Sequence, residues 1–283
     1  MNANFRALQR FPRRRTIRNV ALIAAGVAGL FAVPYLGVHQ LGTRSLVEAT
    51  AATEPGAPMI AAPTTAAGYQ AMFDKLDVDE WGAADVGISV QLTPNRTVWL
   101  FGDTLSENHG IVNSTAITQD GGRLHISQYG NQLLPKADND DQGRTVVYWI
   151  EAARKAGANR IEITAAPTWV SNTGQDGAGW GRATAQDRTG ILTVDRAGEV
   201  TFNHWTGWTT APQLDTRFLT VADGAPYQRE GHLFYNKQLH DEAQLASGKT
   251  LVSICQNRIK PAKRADGGID YPAYRLIFSE EQR

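Results

Sequence analysis

The sequence predicts an all-β domain preceded by an N-terminal transmembrane or signal helix. From residue 68 onward, short runs rich in β-branched and aromatic residues alternate with turn residues, and helical periodicity is scarce. At the N-terminus, a cluster of arginines precedes an uncharged apolar run. Strands at such even spacing are typical of a sandwich, a barrel or a propeller. At roughly 40–45 residues per four-stranded blade, residues 68–283 allow about five blades.

The N-terminal apolar run covers residues 20–38 and follows a basic segment, residues 1–19. A spanning helix needs roughly 20 apolar residues, and positive charge at one end keeps that end in the cytoplasm. The run exceeds the usual signal-peptide core of about 7–15 residues. This length favours an uncleaved single-pass membrane anchor with the C-terminal domain outside the cytoplasm. Secretion after signal cleavage is the alternative.

The next segment, residues 39–67, is dominated by Ala, Thr and Pro and has no periodic apolar face, which is typical of a linker. Residues 68–283 form the predicted propeller domain. Residues 1–45 hold seven Arg and no acidic residue, so residues 46–283 hold 28 − 7 = 21 basic against 28 acidic residues. The resulting formal charge of −7 argues against nucleic acid as a partner.

The residue inventory excludes several site classes. A single cysteine, Cys255, excludes an intrachain disulfide and a multi-cysteine zinc cluster. His232, Asn236 and His240 recur every four residues, but on a strand this spacing extends beyond a metal's coordination shell. The sequence has no phosphate-binding glycine loop, so neither a nucleotide nor another cofactor is expected.

Eleven strands are predicted from β-rich runs bounded by turn residues. They are Val86–Leu92, Thr97–Phe101, Ile111–Gln119, Arg123–Gln128, Arg160–Ala165, Gly190–Asp195, Glu199–His204, Arg217–Val221, His232–Asn236, Thr250–Gln256 and Tyr274–Phe278. Two β-hairpins are expected, over residues 87–103 and 190–205, because a short polar turn joins two apolar runs in each. The clearest helix candidate is Val147–Ala156, which ends before Gly157.

Two segments of the sequence, near opposite ends of the predicted domain, carry a family resemblance. The first leads from Asp85 through a turn to Trp99-Leu100-Phe101-Gly102-Asp103-Thr104, followed by Asn113-Ser114. The second comprises Phe234–His240, Leu251–Ser253, Asn257 and Tyr271–Tyr274. Together they resemble a family of secreted actinobacterial five-bladed propellers, long known as one of unknown function, which includes endo-D-arabinanases that cut mycobacterial arabinan. The resemblance implies a five-bladed propeller that acts as a glycoside hydrolase on a cell-envelope polysaccharide, with arabinan as the specific candidate.

Glycoside hydrolysis needs two carboxyl groups across the scissile bond, one as proton donor and the other as base or nucleophile. Asp85 directly precedes an apolar strand, and Asp103 follows Gly102, which would let a backbone approach closely. The hairpin register places both acids at the same open end. Glu230, before the strand that begins at His232, is the predicted proton donor. The structural alternative for both aspartates is a role in a turn.

The predicted substrate-binding residues lie in the matching segments and in one tryptophan-flanked loop. Asn113 and Tyr235 follow from the resemblance, whereas Asn236 and His240 are suited to hydrogen bonds with sugar hydroxyls. Trp180 closes a glycine-rich segment that could present an aromatic face to a sugar; the alternative is a buried tryptophan. A non-catalytic propeller that binds envelope glycan or a protein is the rival function, because fold alone does not give activity.

Overall fold

The computed structural model describes part of the chain. The described residues are 60–77, 79–106, 110–127, 132–136, 140, 143–170, 180–209, 219–220, 227–229, 232–258 and 275–282. The basic segment, the apolar run and residues 39–59 of the linker lie outside them. Within these ranges, no helix combines the length and the apolar character needed to cross a bilayer.

One short helix and fourteen strands make up the described fold. The helix is α1 (Ala66–Phe73). The first sheet contains β1 (Ala83–Thr93), β2 (Arg96–Ser106), β3 (Gly110–Asp120) and β4 (Arg123–Ser127). The second contains β5 (Thr145–Gly157), β6 (Arg160–Val170), β7 (Trp180–Arg182), β8 (Asp187–Val194), β9 (Val200–Thr209) and β10 (Leu219–Thr220). The third contains β11 (Tyr227–Arg229), β12 (His232–His240), β13 (Thr250–Arg258) and β14 (Arg275–Glu281).

All strand pairs are antiparallel, which confirms the all-β prediction. Sheets 1 and 3 are four-stranded meanders in chain order, whereas sheet 2 has the order β10-β5-β6-β8-β9 with β7 paired to β6. Every one of the eleven predicted strands overlaps an observed strand, and both hairpins are present as β1–β2 and β8–β9. The strands described here form three sheets, against the five blades that the chain length allowed.

The helix predicted over Val147–Ala156 is wrong, because this segment forms β5. Several neighbours along the strand, including Val147 and Tyr148, are buried one after another, so the segment has neither a strand's alternation nor a helical stripe. β5 lies between β6 and β10, and its backbone hydrogen bonds are made to these two strands. Tertiary pairing thus overrides the helix propensity of the alanines at its end.

Sheet 1 lies between the other two sheets because both of its faces are apolar. On β2, Leu100 points to one side while Trp99 and Phe101 point to the other, and each is at most 1% exposed. The first core, shared with sheet 2, includes Ile88, Val90, Leu100, Ile150, Ile161 and Leu192. The second core, shared with sheet 3 and α1, includes Tyr69, Phe73, Trp99, Phe101, Leu251 and Phe278.

Helix α1 is fixed by its cap and by contacts with sheet 3. The Thr65 side chain accepts a hydrogen bond from the Gly68 N–H at 3.1 Å, which caps the first turn. Gln70 donates to the Leu276 carbonyl at 3.2 Å and accepts from the Phe278 N–H at 3.1 Å, so its amide pairs with the edge of β14. The buried ring of Phe73 packs edge-on against Trp99.

Candidate functional site

The backbone of β1 is irregular where Asp85 enters the sheet. Ala84 pairs with Thr104, but the register shifts on both sides of Val86. Val86 has a φ of 76° and Gly87 a φ of 75°. Positive φ at a β-branched residue is a genuine outlier, and such strained positions are concentrated at functional sites. The bulge therefore marks Asp85 as a candidate independently of any sequence motif.

The Asp85 carboxyl lies directly over Gly102 of β2. A Cβ atom at position 102 would clash with Asp85 Oδ1 and would come within 3.1 Å of the Val86 side chain. Asp85 is half-buried, and its Oδ1 is shielded from solvent. Gly102 is thus needed for a close approach, but the group that approaches is the carboxyl of the neighbouring strand and not the backbone that the sequence predicts.

Sheet 3 reaches the same bulge through Cys255. Burial raises the pKa of the Cys255 thiol well above its usual value, the charge of Asp85 raises it further, and a hydrogen bond with the Val86 backbone opposes both. The thiol is 1% exposed, so it is an inert packing group. Tyr235 of β12 is the Cα partner of Cys255. Tyr235 thus lies beside the residue of sheet 3 that contacts the bulge.

Asp103 is held by Asn113 on the adjacent strand. The two residues are Cα partners, and Asn113 Nδ2 donates to Asp103 Oδ1 at 2.5 Å. Asp103 and Asp85 do lie at the same end of the β1–β2 hairpin. Asp103 follows Gly102, however, and successive strand residues point to opposite faces. The Asp103 side chain is therefore directed to the face of β2 opposite the one that Asp85 covers.

The other predicted site residues are placed in different surroundings. Asn236 is half-buried and has a φ of 52° at a second bulge, between Tyr235 and Gln238. Trp180 begins β7, opposite Val170 of β6. The side chain of Trp180 lies outside the described residues, as does Glu230. The catalytic and substrate-binding roles of these residues stay predictions.

His240 is buried in a polar cluster between sheets 1 and 3. The ring is 1% exposed; its Nδ1 is 2.6 Å from Ser89 Oγ and its Nε2 is 2.8 Å from Ser253 Oγ. Its centroid lies 4.7 Å from that of Trp99. The Ser89 hydroxyl also donates to Glu242. In this conformation both ring nitrogens are engaged within the protein, which disfavours the predicted direct contact with a sugar.

The titration of this cluster is strongly perturbed. Burial lowers the pKa of His240 to about 3 and raises the pKa of Glu242 to about 7. His240 Nδ1 lies 3.9 Å from Glu242 Oε1, so the two could form an ion pair if charged. We favour the neutral forms, because the low dielectric of the interior penalises both charges. Sequence reasoning missed Glu242 and Ser89; the only signal was a serine among the apolar residues of β1.

A second group of acids, also missed, lies on sheet 2. Arg182 donates to Glu151 at 3.1 Å and also to Asp187, which is fully buried. Burial raises the pKa of Glu151, the charge of Asp187 and a hydrogen bond with it raise it further, and Arg182 opposes them. The hydrogen bond brings the Glu151 and Asp187 carboxyl groups into direct contact. Such contact is shorter than the separation of about 5–10 Å that glycosidases use.

The described residues contain no group of three or more His, Cys, Asp or Glu side chains able to hold a metal ion.

No family model and no curated protein matches the chain. Among solved structures, the chain is similar to a candidate hydrolase from Bacteroides ovatus, with 15% sequence identity and a TM-score of 0.35. The match covers 75% of this chain and spans 58% of that protein. At these values the similarity assigns neither a fold nor an activity.

Proposed function

We propose that the protein is an extracytoplasmic glycoside hydrolase that acts on a cell-envelope polysaccharide, with arabinan as the first substrate to test. The observation that carries the proposal is the strained bulge at Val86 and Gly87, which presses the Asp85 carboxyl against Gly102. A conformation that costs on the order of 1–3 kcal/mol persists only where the surrounding structure enforces it. A turn aspartate would not need it.

The proposal includes the architecture of a five-bladed propeller tethered to the membrane by residues 20–38. In support, sheets 1 and 3 are four-stranded meanders, the blade unit of propellers. The first strand of sheet 1, β1, packs against β5 of sheet 2 and β12 of sheet 3, and the sheets stack face to face. In a propeller the blades surround a central channel, where catalytic groups from different blades can meet.

In this mechanism Asp85 and Asp103 act beside the scissile bond, with Glu230 as the proton donor. Asn113 positions Asp103 through its side-chain hydrogen bond. Gly102 provides the space that Asp85 occupies. In the proposal, Tyr235 and Asn236 of sheet 3 contact the substrate. The pair works only if substrate binding brings both acids within about 5–10 Å of each other across one sugar linkage.

A second candidate function follows from the orientation of the two acids. Because Asp85 and Asp103 point to opposite faces of β2, the described conformation does not aim both at one point. This geometry favours a non-catalytic propeller that binds envelope glycan or a protein. Catalysis and binding are therefore measured separately.

The test is release of reducing ends from arabinan by the full chain and by Asp103→Asn. We expect the substitution to abolish cleavage while the protein stays folded, because the amide keeps the size of the side chain but cannot exchange a proton. Asp79→Asn, at an exposed aspartate outside the sheets, is the matched control and keeps full activity. Loss of folding in Asp103→Asn would assign the residue a structural role. Full activity in both Asp85→Asn and Asp103→Asn would refute the carboxylate assignment.

A further inference from the structure

One tryptophan of sheet 2 is exposed at the surface. Trp208 of β9 is 50% exposed, whereas the large apolar side chains of the two cores are buried. β9 ends the strand order of sheet 2, so its outer side is a sheet edge. Isolated exposed apolar residues are common and need no explanation. Trp208 differs from them because its ring is held by a series of contacts that reach into the core.

A β-bulge brings Trp208 to the same face as Trp205. Trp205 pairs with Gly190 and Gly207 pairs with Thr189, so Thr206 is an extra residue on β9. In a regular strand, residues three apart point to opposite faces. Because of the extra residue, Trp205 and Trp208 point to the same face of the sheet. Arg188, the Cα partner of Trp208, points to this face as well.

The guanidinium of Arg188 joins the two rings. Its Cζ atom lies 4.7 Å from the Trp205 centroid and 4.9 Å from the Trp208 centroid. Arg188 Nη1 donates to the Tyr148 hydroxyl at 2.9 Å, which fixes the guanidinium. Cation–π attraction is strongest for tryptophan and increases when the cation is desolvated. Arg188 therefore holds the exposed ring of Trp208 in a defined orientation.

Trp205 anchors this arrangement in the first core. Its centroid is 4.5 Å from that of Tyr148 and 4.8 Å from that of Phe202. A Cβ atom at Gly190 would lie only 2.9 Å from the Trp205 ring, so glycine is required beneath it. The contacts thus run from buried Tyr148 through Trp205 and Arg188 to the surface at Trp208.

We propose that Trp208 is the stacking platform of a glycan-binding subsite for a neutral polysaccharide, the substrate class of the proposed function. A rigid exposed aromatic ring presents a large contact area at little entropic cost. On the same face, the Arg188 guanidinium that lies against the ring carries N–H donors suited to sugar hydroxyls. Single-stranded nucleic acid also stacks on tryptophan, but the formal charge of −7 over residues 46–283 opposes a polyanion.

The identity of the ligand rests on the proposed function, so the test measures binding without cleavage. The full chain carrying Asp103→Asn is run on native gels that contain increasing concentrations of soluble arabinan. We expect retardation by arabinan, and at least about tenfold weaker apparent binding after Trp208→Ala, the loss of one good aromatic contact. Trp208→Tyr restores most of the affinity because it keeps a stacking face.

Leu239→Ala is the matched control, because Leu239 is 46% exposed and lies on sheet 3. This variant binds arabinan unchanged. Equal binding by Trp208→Ala and its parent, no retardation by arabinan, or Trp208-dependent binding of an oligo(dT) probe in place of arabinan each overturns the proposal. Cleavage by the wild type with unchanged binding in Trp208→Ala would refute the subsite alone. Trp208-dependent binding without cleavage would refute the hydrolase alone.

Discussion

Replacing Glu242 by Gln should make the contribution of the His240–Glu242 cluster to stability depend on pH in a range where that contribution is flat in the wild type. Burial raises the pKa of Glu242 from 4.5 to about 7. Between these values the folded protein binds a proton that the unfolded chain has released. Glu242 alone therefore lowers the free energy of unfolding as pH rises, by about 3 kcal/mol over the whole window, at about 1.4 kcal/mol per pKa unit.

His240 has the opposite effect. Burial lowers its pKa from 6.5 to about 3, so between these values the unfolded chain binds a proton that the folded protein does not. His240 alone raises the free energy of unfolding with pH, by about 5 kcal/mol over this window. From pH 4.5 to 6.5 the two effects cancel, because the folded pair holds one proton on Glu242 and the unfolded chain holds one on His240.

In Glu242→Gln only the His240 effect remains. We expect the free energy of unfolding to rise by about 2–3 kcal/mol between pH 4.5 and 6.5, while the contribution of the cluster in the wild type stays flat. Urea unfolding midpoints at half-unit steps of pH measure the change. The wild type should also lose stability from pH 6.5 to 7, and the variant should not.

Glu281→Gln is the matched control, because Glu281 is exposed on β14 and pairs with Lys237. Its pH profile should follow that of the wild type. Conversely, His240→Gln leaves only the Glu242 effect, so its stability should fall between pH 4.5 and 7. Identical slopes for Glu242→Gln and the wild type would show that Glu242 is ionised when the protein is folded, and the reasoning from burial would be refuted.

Three further changes test other parts of the fold. Gly102→Ala should destabilise the protein by about 1–3 kcal/mol in urea unfolding, because its Cβ clashes with Asp85; no loss would contradict the close approach. Asp187→Asn should lower the pKa of Glu151 in a carboxyl NMR titration, because the Asp187 charge raises it; an unchanged pKa would contradict this. A reporter fused after Gly68 should be active only outside the cytoplasm; cytoplasmic activity would refute the membrane topology.

Local pattern was sufficient to predict most strands but not every element. The β1–β2 and β8–β9 hairpins could be predicted because alternation and turn residues both occur within one short stretch. β5 could not, because its burial on both sides depends on strands distant in sequence. Helix α1 escaped notice because eight residues rarely form a stable helix alone, and this one depends on Gln70 and the edge of β14.

The candidate site was predictable only where a single hairpin contains it. Asp85, Gly102 and Asp103 occur on adjacent strands, so a hairpin register brings them near each other. The His240 cluster joins Ser89 on β1 to residues more than 150 positions later in the chain. No local spacing indicates such a contact. The Glu151–Asp187 pair likewise forms only after β5 and β8 have paired with β6.

Bulges explain why a correctly predicted hairpin does not by itself give the directions of the side chains at the candidate site. Strand alternation predicts a fixed face for every residue, but one extra residue reverses the faces of all that follow. The shifts around Val86 decide which face of β2 the Asp85 carboxyl covers, and Thr206 decides that Trp205 and Trp208 share a face. Neither bulge follows from hydrophobic pattern, since each is enforced by the neighbouring strand. The chemistry at Asp85 and at Trp208 therefore depends on strand register. The register at each bulge is set by contacts with the neighbouring strand in the folded sheet.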